Sequence, residues 1–312
     1  MESTGHRETL YRQFEQFIAE RRVLDAYDLW QKYPGEFQSC IQDDQNRKIM
    51  MDQIKAERNT LHWTFTKIGV KEQDCWKLYE EEKSTNDLCK ISHSVPASQN
   101  HFKASDANAI RVKTEVHGEL LLLESLTVLR DVELMPKLID LVTMVTNQTC
   151  SVRAAEFETS TFNFDFDVKV NSWHPSLLTT RQVKMNVSFY DCRNTHDALV
   201  VIYEFKPEKG TRSCYDPELV SFVFKTDARH LTILINKKDN SLFPRAGTEM
   251  YVIQKMMAFV HLFVITTRKL HMADFNMQDT ISRTWINNIK NNQKSDSSGN
   301  SRFYTWLTSL NI

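Results

Sequence analysis

Glycine and proline are scarce in this chain, seven of each in 312 residues. No G-x-x-x-x-G-K, G-x-G-x-x-G or G-x-S-x-G occurs, so neither a phosphate-cradling loop nor a nucleophile elbow is present. Basic runs are missing too. The net charge is −1 and the isoelectric point near 6.8, which excludes the basic footprint of a nucleic-acid binder. The six cysteines (Cys40, Cys75, Cys89, Cys150, Cys192 and Cys214) form no C-x-x-C pair. In a chain of this size they read as reduced, mostly buried thiols. Ten histidines give no H-E-x-x-H and no zinc spacing, and His93 and His101 are too far apart to argue ligation, so neither metal nor cofactor is expected. The longest apolar run, Met256 to Ile265, is broken by His261 and is half of the roughly 20 residues a bilayer span needs. The opening MESTGHRETLYRQF lacks the layout of a signal peptide. A cytoplasmic protein is expected, where the sequons at Asn147 and Asn186 carry little meaning.

What is present is an ordinary globular composition, 41% hydrophobic and 25% charged. Residues 1–61 read as a helical extension. Leu10, Phe14, Phe17 and Ile18 recur at helical spacing, and the pattern breaks near Arg21-Arg22. Leu24, Tyr27 and Trp30 resume it, Pro34-Gly35 stops it, and a third stretch carries Ile41, Ile49, Met50 and Ile54. From Leu61 the periodicity changes: Trp63, Phe65 and Ile68 open a mixed segment. A strand follows at Trp76–Glu81, a polar loop at 92–108, and a half-buried strand at Ile110–His117. Leu122, Leu126 and Leu129 predict a helix. Pro136 divides it from a second, faced by Leu138, Leu141, Val142 and Val145.

The strand signal is strongest at Phe162, Phe164, Phe166, Val168 and Val170, which alternate with polar residues. Val183, Met185, Val187 and Phe189 do the same. Ala198 to Phe205 is apolar nearly throughout, as a strand covered on both faces should be. Val220, Phe222 and Phe224, then Leu231, Ile233 and Ile235, complete an antiparallel meander. A long helix over 247–270 presents Met250, Ile253, Met256, Met257, Val260, Phe263 and Val264. Residues 274–312 then read as a helix, a polar linker and a tail with Phe303, Trp306, Leu307 and Leu310 at helical spacing. The resulting division is 1–61, 62–273 and 274–312.

Catalytic constellations are not evident. Asp165 and Asp167 share a strand face, but it is the face opposite the phenylalanines and reads as solvated. The informative feature is the apolar wall that sheet and helix would build together. Its members are Phe164, Phe166, Val168, Met185, Val187, Phe189, Phe222, Phe224, Ile233, Met256, Met257, Val260 and Phe263. Methionine adapts to varied apolar shapes, and small-molecule pockets are apolar with a few polar anchors.

The element order of strands, two short helices, an antiparallel run and a long closing helix resembles the helix-grip fold of START-type (steroidogenic-acute-regulatory-related) lipid-transfer domains. The resemblance covers roughly residues 62–270. Ile110-Arg-Val-Lys-Thr-Glu-Val-His-Gly118 is similar to the strand entering the first short helix of that family. Val128-Leu-Arg-Asp-Val-Glu-Leu-Met-Pro136 is similar to its helix-to-helix turn, without the family's tryptophan. Trp173-His-Pro175 through Arg181-Gln182 is similar to the segment opening a strand, with Gln182 where the family has an acid. Lys238-Asp239 through Pro244 is similar to the approach to the closing helix.

The resemblance implies an α+β helix-grip fold with a curved antiparallel sheet of about eight or nine strands and two inserted helices. It implies a tunnel for one lipid or sterol closed by the long helix, no chemistry, no cofactor and transient, peripheral membrane contact. Arg111, Glu133 and Arg181 are then the candidate polar anchors for a headgroup. Two alternatives remain. One is an interaction module with a filled core, docking a protein partner through residues 1–60 with Tyr11, Tyr27 or Trp30. The other is an enzyme on the same fold. The tail at 303–310 either touches a membrane or folds back on its own domain.

Overall fold

Four helices open the chain: α1 (Glu2–Ala19), α2 (Val23–Lys32), α3 (Pro34–Ile41) and α4 (Gln45–Gly69). The computed structural model describes residues 2–41, 45–69, 76–79, 89–96, 109–131, 134–138, 142–152, 162–171, 180–207, 217–237, 245–272 and 300–312. The break near Arg21 has a definite form. Arg21 adopts φ 59°, Arg21 N–H bonds the Ile18 carbonyl at 3.0 Å, and Arg22 N–H bonds the Phe17 carbonyl at 2.8 Å. That is a Schellman termination with arginine in the left-handed position usually held by glycine.

Among the described residues nine strands follow: β1 (Trp76–Tyr79), β2 (Cys89–Pro96), β3 (Ile110–Val116), β4 (Val142–Val152), β5 (Phe162–Asn171), β6 (Thr180–Cys192), β7 (Ala198–Pro207), β8 (Pro217–Lys225) and β9 (His230–Lys237). They form one antiparallel sheet in the order β1-β2-β3-β9-β8-β7-β6-β5-β4. Between β3 and β4 lie α5 (Leu122–Arg130) and α6 (Met135–Leu138). A one-turn α7 (Arg193–His196) links β6 to β7, α8 (Arg245–His271) follows the sheet, and α9 (Asn300–Ser309) comes last. The expected α+β helix-grip architecture is present.

Period two in the strands creates two cores, one on each side of the sheet. Strand β7 shows this most plainly. Leu199, Val201 and Tyr203 join the core under α8, while Ala198, Val200 and Ile202 join a second core under the N-terminal helices. Leu10, Phe14, Ile18, Val23, Ala26, Phe37, Met51, Ile54 and Leu61 fill that second core, each nearly or fully buried. The apolar stripe of residues 1–60 is thus used inside the chain. Tyr11 packs on Phe37, Tyr27 on Trp30 and under Arg58, and Trp30 under Lys55.

Arg21 fastens this layer to the sheet. Its Nε donates to the Phe189 carbonyl at 2.8 Å, and its Nη2 lies 3.4 Å from Glu57 of α4. Its carbonyl accepts Asp191 N–H at 3.0 Å, and its guanidinium lies 4.7 Å from the Tyr190 ring centre. Between α4 and β8, the buried Thr64 and Ser221 hydroxyls lie 3.0 Å apart.

Three local expectations need correction. Helix α4 runs unbroken through Leu61, so Trp63, Phe65 and Ile68 belong to it rather than to a mixed segment. Residues 89–96 form β2, where a polar loop was expected from 92 onward. Cys89 and Ile91 give that strand its buried face, and backbone pairing with β3 recruits its polar remainder. The second inserted helix ends at Leu138, and Val142 and Val145 lie in β4. Their helical spacing was coincidental. Val142, Thr143, Val145, Thr146, Thr149 and Val152 are β-branched and favour the pleated strand. The helix and most of the linker expected over 274–299 lie outside the described residues.

Candidate functional site

The candidate site is the apolar face of the sheet beneath α8. Val183, Met185, Val187 and Phe189 of β6, Phe222 and Phe224 of β8, and Leu231, Ile233 and Ile235 of β9 all lie in one buried cluster. Ile110, Val112 and Val116 of β3 and Cys89 and Ile91 of β2 extend it. Helix α8 lays Ile253, Met256, Phe259, Val260, Phe263 and Val264 over this face. The contacts are ring on ring. Phe222 meets Phe259 at 5.6 Å, Phe224 meets Phe263 at 6.2 Å, and Tyr203 meets Phe222 at 5.0 Å between ring centres.

Polar groups at the margin hold the roof in place. Arg268 donates to the His117 carbonyl at 2.6 Å, beside Gly118, whose φ of 96° makes the turn from β3. His271 Nδ1 lies 2.8 Å from the carboxylate of the buried Glu124, joining the end of α8 to α5. Tyr203 donates its hydroxyl to the Leu129 carbonyl, and burial pushes its phenol pKa up, keeping it protonated. Burial also raises the Cys89 thiol, against the opposing pull of Arg268, so Cys89 is a neutral thiol at pH 7. One polar atom on this face has no protein partner. Thr114 is 1% exposed and its Oγ1 makes no hydrogen bond. Thr114 is the register partner of Leu231, which places it on the α8 side.

Helix α9 completes the cover. Phe303, Trp306, Leu307 and Leu310 are 1–3% exposed and belong to the same cluster. Phe303 and Trp306 lie on Phe189 with ring centres at 4.7 and 5.9 Å, and the Arg130 guanidinium stands 5.3 Å from the Phe303 ring centre. Trp306 Nε1 donates to the Glu20 carbonyl at 2.9 Å, and Arg193 donates to the Leu310 carbonyl at 2.7 Å. Of the two expectations for the tail, it is folding back that the structure contains.

Most of the expected wall residues do meet here. Met185, Val187, Phe189, Phe222, Phe224, Ile233, Met256, Val260 and Phe263 are buried together, and Met257 packs partly buried at the margin. Phe164, Phe166 and Val168 are the register partners of Val187, Met185 and Val183 along β5. Of the three polar candidates, the side chain of Arg111 alone is described. Arg111 is fully buried on the other face, donating to the Ile68 carbonyl at the end of α4. Glu133 lies outside the described residues, and Arg181 is placed only by its backbone, opposite Val170 in β6. Sequence reading missed Phe259 and Thr114. Phe259 falls three and four residues from Met256 and Phe263, a signal the spacing did hold.

Cavities occur on the opposite side of the sheet. One of about 490 Å³ lies between α4 and the ends of β7, β8 and β9, lined by Trp63, Glu204, Phe205 and Asn236 among others. Another of about 500 Å³ lies beside Ile68, lined by Lys113, Lys225, His230 and Asp227. No group of metal-binding side chains occurs among the described residues, and none of their helices is long and apolar enough to cross a membrane.

An antiparallel sheet that grips a long helix, with two short helices inserted after its third strand, defines the class: a helix-grip fold. No family model and no curated protein matches the chain. Among solved structures, human StAR-related lipid transfer protein 5 is 14% identical, with 73% of this chain and 100% of that one covered and a TM-score of 0.46. Human STARD10 is 13% identical, covering 66% and 78%, with a TM-score of 0.44. A STAR-related lipid transfer protein fragment from Xanthomonas axonopodis is 14% identical, covering 62% and 99%, with a TM-score of 0.41. The fold class itself rests on this chain's own strand order and helix placement.

Proposed function

We propose that this protein binds a single lipid or sterol between the sheet and α8 and carries it without chemical change. The observation that supports this most is the continuous apolar face from β2 to β6, roofed by a helix that turns Met256, Phe259, Val260 and Phe263 toward it. Each methylene moved from water onto such a surface gains about 0.8 kcal/mol, so a long chain is held without charge pairing. On this reading the ligand lies toward β5 and β4, because the β8 side is packed ring on ring with α8. Phe164, Phe166 and Val168 would then line it.

A non-catalytic role agrees with the state of the titratable groups described. Glu124 is engaged by His271, Tyr203 by a backbone carbonyl, and Cys89 is held as a thiol. Visits to a membrane from the cytoplasm belong to the same proposal.

The test is extraction of the purified full chain followed by mass spectrometry, together with uptake of a fluorescent sterol or fatty acid from liposomes. One bound lipid per chain, or saturable uptake, is the expected result. A ligand-free protein that takes up nothing would sink the proposal in favour of an interaction module with a filled core.

A further inference from the structure

Helix α9 covers a part of the apolar face that α8 leaves to it. The residues of α8 pack on Phe222 and Phe224 of β8, whereas Phe189 of β6 is covered by Phe303 and Trp306. The helix pairs with no strand, so it can leave without breaking a sheet hydrogen bond. Its attachments include two side-chain donors to backbone carbonyls at its margins, Trp306 to Glu20 and Arg193 to Leu310. Both attachment points are themselves fixed. Arg193 is held by Asp191 at 2.8 and 3.0 Å, and Glu20 adjoins the buried Arg21.

The same helix is built for a second environment. Phe303, Trp306, Leu307 and Leu310 recur at i, i+3, i+4 and i+7, while Thr305, Thr308 and Ser309 are exposed. A short helix with one apolar face containing tryptophan and a polar opposite face is the form that lies in a bilayer interface. A face that fits Phe189 also fits acyl chains, and it cannot do both at once.

We propose that α9 is an exchangeable cap. In the closed state it occupies the β6 end of the apolar face, and at a lipid surface its four apolar side chains move into the bilayer and open that end to a ligand. This rests on the lipid-binding reading and adds its regulation: the membrane that supplies the ligand also removes the cap.

The test uses the full chain and two variants that loosen the cap while keeping its apolar face, Trp306→Phe and Arg193→Ala. Uptake of a fluorescent fatty acid from phosphatidylcholine vesicles is measured alongside circular dichroism and thermal unfolding. Both variants should take up ligand several-fold faster than wild type, with unchanged circular dichroism. Vesicles of brominated phosphatidylcholine should quench tryptophan fluorescence in the wild type, and less so in Trp306→Phe. Saturable wild-type uptake at a rate neither variant changes, or slower uptake in both, overturns the cap while leaving lipid binding intact. Absence of quenching by brominated vesicles during active uptake also overturns it. No uptake by any of the three proteins overturns both readings.

Discussion

Replacing Arg21 with methionine should loosen the N-terminal helices from the sheet, and the size of the effect follows from what is left behind. Arg21 is fully buried, and Glu57, 3.4 Å away, is only 8% exposed. Removing one member of a buried ion pair strands the other charge, at a cost of about 3–5 kcal/mol. The Phe189 carbonyl loses its 2.8 Å donor in the same step. Against a total stability of roughly 5–15 kcal/mol, the variant keeps a thin margin. At roughly 2–4 °C per kcal/mol, its melting temperature should fall by about 10 °C. Glu57→Met alone should also destabilise, leaving Arg21 charged and buried and Gln53 without its 3.0 Å acceptor. The double variant leaves two apolar side chains face to face and should be far more stable than the sum of the single losses predicts, with a coupling of about 2 kcal/mol. Urea unfolding of the four proteins, followed by tryptophan fluorescence, measures this cycle. A single-variant loss below about 1 kcal/mol, or strict additivity in the double variant, would refute the claim that Arg21 and Glu57 act as a buried pair.

Thr114→Val should stabilise the ligand-free protein by about 1 kcal/mol, because it removes a buried hydroxyl that has no partner; a loss of stability on thermal unfolding would show that the hydroxyl is bonded. Phe263→Ala should cost about 3–5 kcal/mol, since the ring is fully buried between Phe224 and Phe259; chemical denaturation giving less than about 1 kcal/mol would mean that the roof is loosely packed. Burial, with Lys225 and His62 nearby and Asp28 acting against them, holds the His196 imidazole below its ordinary value. As pH falls from about 6.5 toward the lower folded value, the unfolded chain takes up the proton first, so stability is lost across that window. His196→Phe keeps the stack on Phe65, at 3.7 Å between ring centres, and should flatten the acid side of a plot of melting temperature against pH; parallel curves would contradict the assignment.

The helix-grip order was legible because period two at Phe162–Val170, Val183–Phe189 and Val220–Phe224 can be satisfied only by strands, and the 247–270 stripe only by a long helix. The buried faces of β6, β8 and β9 were legible for the same reason: alternation assigns a face before any partner is known. Strand β2 was not, because Cys-Lys-Ile-Ser-His-Ser carries little intrinsic strand preference and gains its conformation from the ladder to β3. Strand β4 was misread because Leu138, Leu141, Val142 and Val145 fit a helix by spacing, and the competing preference of β-branched residues prevailed.

Sequence alone determined which residues are apolar, at what period, and so which could share a face. It did not determine what lies against each face, because burial depends on partners far away in the chain. The nearly unbroken apolar run of β7, Ala198 to Tyr203, announced two covers without naming them. Only the tertiary structure assigned α8 and α9 to one side and α1 to α4 to the other. The same limit applied to the charged residues: alternation sets Arg111 on the face opposite Ile110 and Val112, but only the tertiary structure laid the end of α4 against it.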